Sequence, residues 1–291
     1  MHRTTPLILI CLLLSAGCVS QAPTEEEEGE GVRLLAPAAN LSLFEGAGVY
    51  AGLIGEAETP EIPANYSLGT VVIPSGNATP LHRVVESTEF IFLTAGEAEI
   101  RCDNRTVTAG AGEAVLLPAG VLQSVASVGE RDLRYVDVIE PPFTAENEVL
   151  GDDLAPLAGT TDGVPVVIPD PRAGAEWDLG VDMRVYTLAN PVLTEEASLP
   201  IGYSVAYVEL LPGGSVGYNR LNGSSEVVCV LDGEVEVFTP AGGGAVRVAA
   251  GSAAYVPPDQ VKGYRNVAAT NSTMLSVVDP AWTPERTEMV E

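Results

Sequence analysis

The second half of the chain repeats the first, and this repeat constrains the fold more than any other feature. Four short patterns recur at a spacing of 137 or 139 residues. In chain order they are Tyr66-Ser67 and Tyr203-Ser204, Glu89-x6-Gly96 and Glu226-x6-Gly233, Gly112-x5-Pro118 and Gly251-x5-Pro257, and Glu140-Pro141 and Asp279-Pro280. The two extra residues fall near 239–244, in a predicted hairpin loop where added length costs little. The repeat predicts two homologous domains, over residues 33–150 and 151–291.

Short runs of β-forming residues fill each half. In the first half, strands are predicted over Glu89–Leu93, Ala98–Cys102, Thr106–Thr108 and Gly112–Pro118, separated by turn residues. No segment carries a 3.6-residue apolar period over twelve residues, which argues against long helices. The chain is therefore predicted to be all-β, with each half a barrel or a sandwich.

Glycine, proline and polar residues hold the same intervals in both halves. The first half reads Gly76-x5-His82-x-Val84-x4-Glu89-x6-Gly96, then Gly112-x5-Pro118-x-Gly120-x2-Gln123-x3-Ser127; the second reads Gly213-x5-Asn219-x-Leu221-x4-Glu226-x6-Gly233, then Gly251-x5-Pro257-x-Asp259-x2-Lys262-x3-Asn266. These patterns resemble the two cupin motifs, Gly-x5-His-x-His-x3,4-Glu-x6-Gly and Gly-x5-Pro-x-Gly-x2-His-x3-Asn. The resemblance covers nearly everything after residue 32. It implies two tandem cupin barrels of jelly-roll form, a bicupin, and it implies a fold more than an activity.

The resemblance also implies a candidate site in the first barrel. In metal-binding cupins the two His, the Glu and the last His hold Mn, Fe, Ni or Zn. Here His82 and Glu89 are retained, whereas Val84 and Gln123 replace the other two ligands. One hypothesis is a metal site of His82, Glu89 and Gln123. The other is a metal-free ligand pocket lined by these residues with Val84 and Ile91, in which the polar groups bond one another.

The equivalent positions of the second half indicate a different role. Lys262, the only lysine of the chain, stands where the motif places its last His, and Glu226 is retained. A protonated lysine has no lone pair for a metal. We therefore expect an internal Glu226–Lys262 ion pair, to which Asn219 supplies a further hydrogen bond, in a barrel whose role is structural. A reactive or ligand-gripping lysine and a solvent-facing lysine remain alternatives.

Alternation along the two equivalent strands predicts which face of each lies inside its barrel. Ile91 and Leu93 share the face of Glu89, as Val228 and Val230 share that of Glu226. The opposite faces, with Phe90, Phe92 and Cys229, are where we expect the two barrels to pack.

The N-terminus is typical of an export signal. Leu7–Leu14 is an apolar run too short to span a bilayer, so residues 1–17 are predicted to be a signal peptide. Small residues before Cys18 resemble the lipobox of prokaryotic lipoproteins, which implies lipid attachment at that cysteine. Residues 18–32 include Glu25–Glu28 and are predicted to be a solvated tether. We expect an exported protein held at the outer face of the cell membrane by lipid alone.

Two further features, the glycosylation sequons and the remaining cysteines, are relevant to an exported protein. Asn-x-Ser/Thr sequons are glycosylation candidates; their asparagines are Asn40, Asn65, Asn77, Asn104, Asn222 and Asn271. In an acidic, lipoprotein-like chain they suggest an archaeal surface protein. The two cysteines beyond residue 18, Cys102 and Cys229, form either a disulfide or two separate thiols.

Charge and histidine content narrow the function. With 14 Lys and Arg against 40 Asp and Glu, the net charge of −26 argues against nucleic-acid binding. His82 is the only histidine beyond the signal, which excludes mechanisms that need several. We expect a non-catalytic small-ligand-binding or structural envelope protein, with a homodimer as a further partner option. The alternative is a metal-dependent enzyme of aminohydrolase, isomerase or oxygenase type that uses the first barrel.

Overall fold

A computed structural model describes residues 31–151, 163–173, 176–178, 182–193, 199–240 and 244–290. Almost all of the regular structure is strand. In the first half the strands are β1 (Arg33–Leu35), β2 (Leu41–Leu43), β3 (Gly48–Ile54), β4 (Ser67–Ile73), β5 (His82–Val84), β6 (Thr88–Ala95), β7 (Glu97–Cys102), β8 (Arg105–Gly110), β9 (Ala114–Leu117), β10 (Gln123–Ser127), β11 (Leu133–Glu140) and β12 (Glu148–Leu150). The second half contributes β13 (Val166–Ile168), β14 (Glu176–Asp178), β15 (Met183–Ala189), β16 (Ser204–Leu210), β17 (Ser215–Leu221), β18 (Ser225–Asp232), β19 (Glu234–Phe238), β20 (Ala245–Ala249), β21 (Ala253–Val256), β22 (Lys262–Asn266), β23 (Ser272–Asp279) and β24 (Thr287–Met289).

Helix is confined to single turns. The described 3-10 helices are Phe44–Gly46, Pro171–Ala173 and Pro284–Arg286. Among all the residues that the structure describes, no helix has the length and apolar character needed to cross a membrane. The signal peptide (1–17), Cys18 and nearly all of the tether (18–32) lie outside the described residues.

Four antiparallel sheets form two similar barrels, which confirms the all-β prediction. The first barrel joins a seven-stranded sheet, β13-β9-β6-β11-β4-β3-β2, to a five-stranded sheet, β12-β5-β10-β7-β8. The second joins β1-β21-β18-β23-β16-β15-β14 to β20-β19-β22-β17-β24. The same strand order in both barrels is the structural form of the sequence repeat.

Side-chain alternation along β6 and β18 separates three apolar clusters. Ile91 and Leu93 pack inside the first barrel and Val228 and Val230 inside the second. The opposite faces meet in a third cluster, which contains Phe90, Phe92 and Cys229 together with residues of both halves. The predicted packing of the two barrels through these faces is therefore confirmed.

In each barrel, one glycine forms the turn at which the chain passes from the seven-stranded sheet to the five-stranded sheet. Gly96 lies between β6 and β7 at φ +80°, and Gly233 lies between β18 and β19 at φ +81°. A Cβ added to Gly96 would stand 2.7 Å from the carbonyl oxygen of Asp132. The positive φ and the close approach both require glycine, which explains why the repeat preserves it.

The barrels exchange strands at their shared face. β1 comes first in sequence but pairs with β21 of the second barrel, with Leu35 opposite Ala253. β13 comes after residue 151 but pairs with β9 of the first barrel, with Val166 opposite Leu116. Each seven-stranded sheet therefore takes one edge strand from the other half of the sequence.

Candidate functional site

The corner of the first barrel brings together the three residues expected there. His82 begins β5, Gln123 begins β10 directly opposite it, and Glu89 lies on β6. All three side chains are buried. Val84 is also buried and lies opposite Glu148 of β12, while Ile91 packs in the first barrel's core.

Hydrogen bonds link these polar groups to one another. His82 Nδ1 lies 2.9 Å from the carbonyl oxygen of Pro80, so Nδ1 carries the proton and donates it. The amide nitrogen of Gln123 lies 3.2 Å from His82 Nε2 and also donates to Glu89 Oε2. Burial lowers the pKa of His82, although the Pro80 contact opposes this, which favours the neutral ring.

Asp137 is a member of this site that the sequence analysis did not identify. It lies on β11, and its buried carboxyl is within hydrogen-bond reach of Glu89. Burial raises the pKa of Glu89 to about 7, and burial and the Glu89 charge raise the pKa of Asp137. The two carboxyls therefore share a proton near neutral pH. A usable signal was present in the sequence, since Asp137 interrupts an otherwise apolar inward-facing row of β11.

The donor atoms at this corner do not fit a metal ion as they are arranged. The Gln123 amide nitrogen takes up the Nε2 lone pair of His82 and one oxygen of Glu89, and Val84 contributes no donor. Across the described ranges, no group of three or more His, Cys, Asp or Glu has metal-binding geometry. In this arrangement His82, Glu89 and Gln123 bond one another through the Gln123 amide.

In the second barrel, Lys262 and Glu226 form an internal ion pair. Lys262 Nζ lies 3.3 Å from Glu226 Oε2, and only 1% of the lysine side chain is exposed. Tyr264 donates its hydroxyl proton to the same carboxylate oxygen at 2.6 Å, and Ser276 donates to Oε1 at 2.6 Å. Asn219 lies opposite Lys262 but donates to the carbonyl oxygen of Gly217, not to the ion pair as expected.

These contacts shift the pKa of Glu226 in the opposite direction to that of Glu89. Burial alone would raise the pKa of Glu226, but the Lys262 charge and the Ser276 and Tyr264 hydroxyls outweigh burial and lower it. Ser276 follows Asp137 by 139 residues, the spacing of the repeat. A hydroxyl thus stands in the second barrel where the first has a carboxyl.

The ion pair lies in the wall of a cavity of about 100 Å3 inside the second barrel. Most of its lining is apolar and includes Met183, Val208 and Met274. At the less buried end, Trp177 and Trp282 pack edge to face with ring centroids 5.0 Å apart. The second barrel thus has space beside the ion pair, which the alternative of a ligand-gripping Lys262 requires.

The indole N–H groups of both tryptophans already donate hydrogen bonds within the protein. Trp177 Nε1 donates to Thr187 Oγ1 at 3.0 Å, and Trp282 Nε1 donates to Thr287 Oγ1 at 2.7 Å. Both rings therefore present carbon surface to the cavity. Sequence reasoning missed this cavity because β14 and the segment after β23 give no pattern that shows where they pack.

The remaining candidate residues are the two cysteines, of which Cys102 lies opposite Gln123 on β7, and the sequon asparagines. Cys102 and Cys229 are buried free thiols. The exposed sequon asparagines are Asn40, Asn65, Asn77, Asn104 and Asn271. Asn65 already donates to Asp279 at 2.9 Å, and Asn222 is half-buried, with its amide 3.4 Å from Glu288.

Comparisons with known proteins agree with this architecture. A family model described as the cupin domain matches residues 69–139 and 206–278. No curated protein matches the chain. A variant of oxalate decarboxylase from Bacillus subtilis is 14% identical, with a TM-score of 0.67, 90% of this chain covered and 80% of that chain. The formate complex of Lactobacillus farciminis oxalate decarboxylase is 16% identical, with a TM-score of 0.66 and coverages of 90% and 88%. At these identities the likeness concerns the fold. Two cupin matches in register with two barrels of the same strand order make the chain a bicupin.

Proposed function

We propose that this bicupin binds a small organic molecule in its second barrel without transforming it, at the outer surface of the cell. The cavity beside Lys262 and Glu226 carries the proposal. An apolar cavity with a few fixed polar groups is the usual form of a small-molecule site. The apolar run Leu7–Leu14 and the position of Cys18 support the surface location.

Native ligand release tests the proposal. Protein purified without added ligand is denatured, and the small molecules released are identified by mass spectrometry. We expect a compound at a substantial fraction of one equivalent in the wild-type protein. Ala206→Phe, which fills the cavity from β16, should remove it, whereas Ala245→Phe at an exposed position of β20 should not. Equal release from both variants, or none from the wild type together with no binding from a compound library, would contradict the proposal.

A metal-dependent enzyme remains the second candidate. The fold shared with oxalate decarboxylases and the convergence of His82 and Glu89 support it. It requires the Gln123 amide to give up its present hydrogen bonds. Metal analysis of protein purified without chelator separates the two candidates: about one equivalent of Mn, Fe, Ni or Zn that is lost in His82→Ala favours the enzyme. Under our proposal the metal content is low and does not change in that variant.

A further inference from the structure

Lys262 has more hydrogen-bond donors than the protein satisfies. A lysine ammonium carries three N–H groups. In the described part of the chain, these N–H groups face Glu226, at 3.3 Å, and the ring of Tyr264, whose centroid lies 5.9 Å from Nζ, so one oxygen acceptor is found for three donors. The carboxylate is itself well occupied, because Tyr264 shares the oxygen that faces Lys262 and Ser276 takes the other. A nearly fully buried ammonium that lines a cavity therefore needs a further acceptor from whatever fills the cavity.

The net charge of the ion pair argues against an anionic ligand as the acceptor. Lys262 and Glu226 cancel each other, so the wall of the cavity is neutral overall. An anionic ligand would bring an unbalanced negative charge into a buried apolar space, which is costly. The acceptor that fits is an oxygen without formal charge, such as that of a ketone, aldehyde, ester or amide.

The rest of the cavity sets the size and character of the ligand. A volume of about 100 Å3 is of the same order as the roughly 150 Å3 cavity that takes up one benzene ring, which limits the ligand to a single ring. Met183 and Met274 supply polarisable sulfur. Trp177 and Trp282 supply the carbon surface of their rings, because their indole N–H groups already donate to threonine hydroxyls. Methionine and tryptophan surfaces favour contact with an aromatic ring.

Building on the proposed function, we infer that the second barrel binds a neutral, single-ring aromatic molecule through one carbonyl oxygen, which accepts a hydrogen bond from Lys262. Glu226 then acts as the positioning residue that holds the ammonium in place. The ring lies among the methionines and the two tryptophans. No covalent step is involved, because the ammonium acts as a hydrogen-bond donor.

Three probes of nearly equal shape test this inference by calorimetric titration of the full-length protein. Acetophenone carries the carbonyl oxygen, α-methylstyrene replaces it with a methylene group, and benzoate carries a charge. We expect acetophenone to bind at least tenfold more tightly than either of the others. Equal affinity for α-methylstyrene would overturn the role of Lys262 and leave small-molecule binding intact. Tighter binding of benzoate would overturn the neutral-ligand inference alone.

A double variant and a spectroscopic readout complete the test. Lys262→Met with Glu226→Gln removes the donors without leaving a charge alone, and the preference for acetophenone should fall to threefold or less. Arg220→Met with Glu288→Gln is the matched control at an exposed ion pair of the same barrel and should keep the preference. In the wild-type protein the infrared C=O stretch of carbonyl-labelled acetophenone should shift to lower frequency than in an apolar solvent. An unshifted band would overturn the inference even if the double variant failed to fold. Binding of none of the three probes would also overturn it, while native ligand release would still decide the proposed function.

Discussion

Glu89 and Glu226 occupy the same position in the two barrels but titrate in opposite directions. The cause is the set of neighbours: Glu89 faces a second carboxyl, Asp137, whereas Glu226 faces Ser276 and the charge of Lys262. A carboxyl with a raised pKa stabilises the fold at low pH, and one with a lowered pKa stabilises it at neutral pH. Two equivalent residues thus give the molecule opposite responses to acid.

The first prediction concerns the pH dependence of stability. The pKa of Glu89 rises from 4.5 unfolded to about 7 folded, so its contribution is present below pH 4.5 and is lost as pH rises through 7. The free energy of unfolding of the wild type, relative to Glu89→Gln with Asp137→Asn, should fall by at least about 3 kcal/mol over this range, because the raised pKa of Asp137 adds a fall of the same sign. Urea unfolding at several pH values measures it. Glu226→Gln should leave the trend in place, and a wild-type curve parallel to that of the double variant would contradict the prediction.

The second prediction concerns the ion pair of the second barrel. Lys262→Met and Glu226→Gln should each destabilise the protein by about 3–5 kcal/mol, because each leaves a buried partner without its contact. The two effects should be strongly non-additive in the double variant. A thermodynamic cycle from chemical unfolding measures the coupling, and Arg220 with Glu288 should show little in the same experiment. Strict additivity at Lys262 and Glu226 would contradict the structure.

Sequence position alone was enough to predict this pair. Lys262 and Glu226 hold motif positions whose side chains must converge, and a buried carboxylate needs a partner. Asp137 lies outside the motifs and Tyr264 lies at a position where the motif allows any residue, so the spacing does not predict their convergence on the two glutamates. The cavity depends on the packing of Trp177 and Trp282, which no spacing in the sequence specifies.

At the scale of strands, the exchange of β1 and β13 ties each barrel to the other half of the sequence. The exchanged strands are three residues long, and such short segments carry no periodicity of their own. The longer strands were predictable because they alternate clearly: residues 98–102 were expected as a strand, and β7 spans Glu97–Cys102. Pairing partners across the repeat were not predictable from the same pattern.

The third prediction uses two adjacent leucines of β1. Leu35 is 6% exposed and packs in the cluster between the barrels, whereas Leu34 is 53% exposed. Leu35→Ala should cost about 2–5 kcal/mol of stability, and Leu34→Ala should cost little. Both tryptophans of the chain lie in the second half, so their fluorescence reports on the barrel that β1 joins. An unchanged fluorescence transition in Leu35→Ala would show that β1 does not support the second barrel.

At the scale of the whole molecule, the two barrels share one apolar interface. Tyr66 and Tyr203, equivalent in the repeat, meet there with ring centroids 5.6 Å apart. The repeat in the sequence was sufficient to predict two similar barrels and the faces that join them. The cellular address rests on residues 1–32, most of which lie outside the described structure, and it stays a prediction.

The fourth prediction tests that address. Cys18→Ser should move the protein from the membrane fraction to the medium, or leave it unprocessed, because the only long apolar run is removed with the signal. A covalent lipid contributes roughly 0.8 kcal/mol per buried methylene, so its loss removes the attachment. Cys102→Ser, at a buried thiol, is the control and should remain in the membrane fraction. Unchanged fractionation of Cys18→Ser would rule out lipidation at this residue.

The exchanged strand β1 also decides how mechanical load enters the molecule. When the protein is held by its N-terminus, β1 is the first of the described strands to take up the tension, and it is an edge strand paired with β21. Pulling along that strand loads its ladder to β21 in shear, where Leu34 and Leu35 lie opposite Ala254 and Ala253. Force on the N-terminus would therefore reach the barrel with the cavity before the barrel that comes first in sequence.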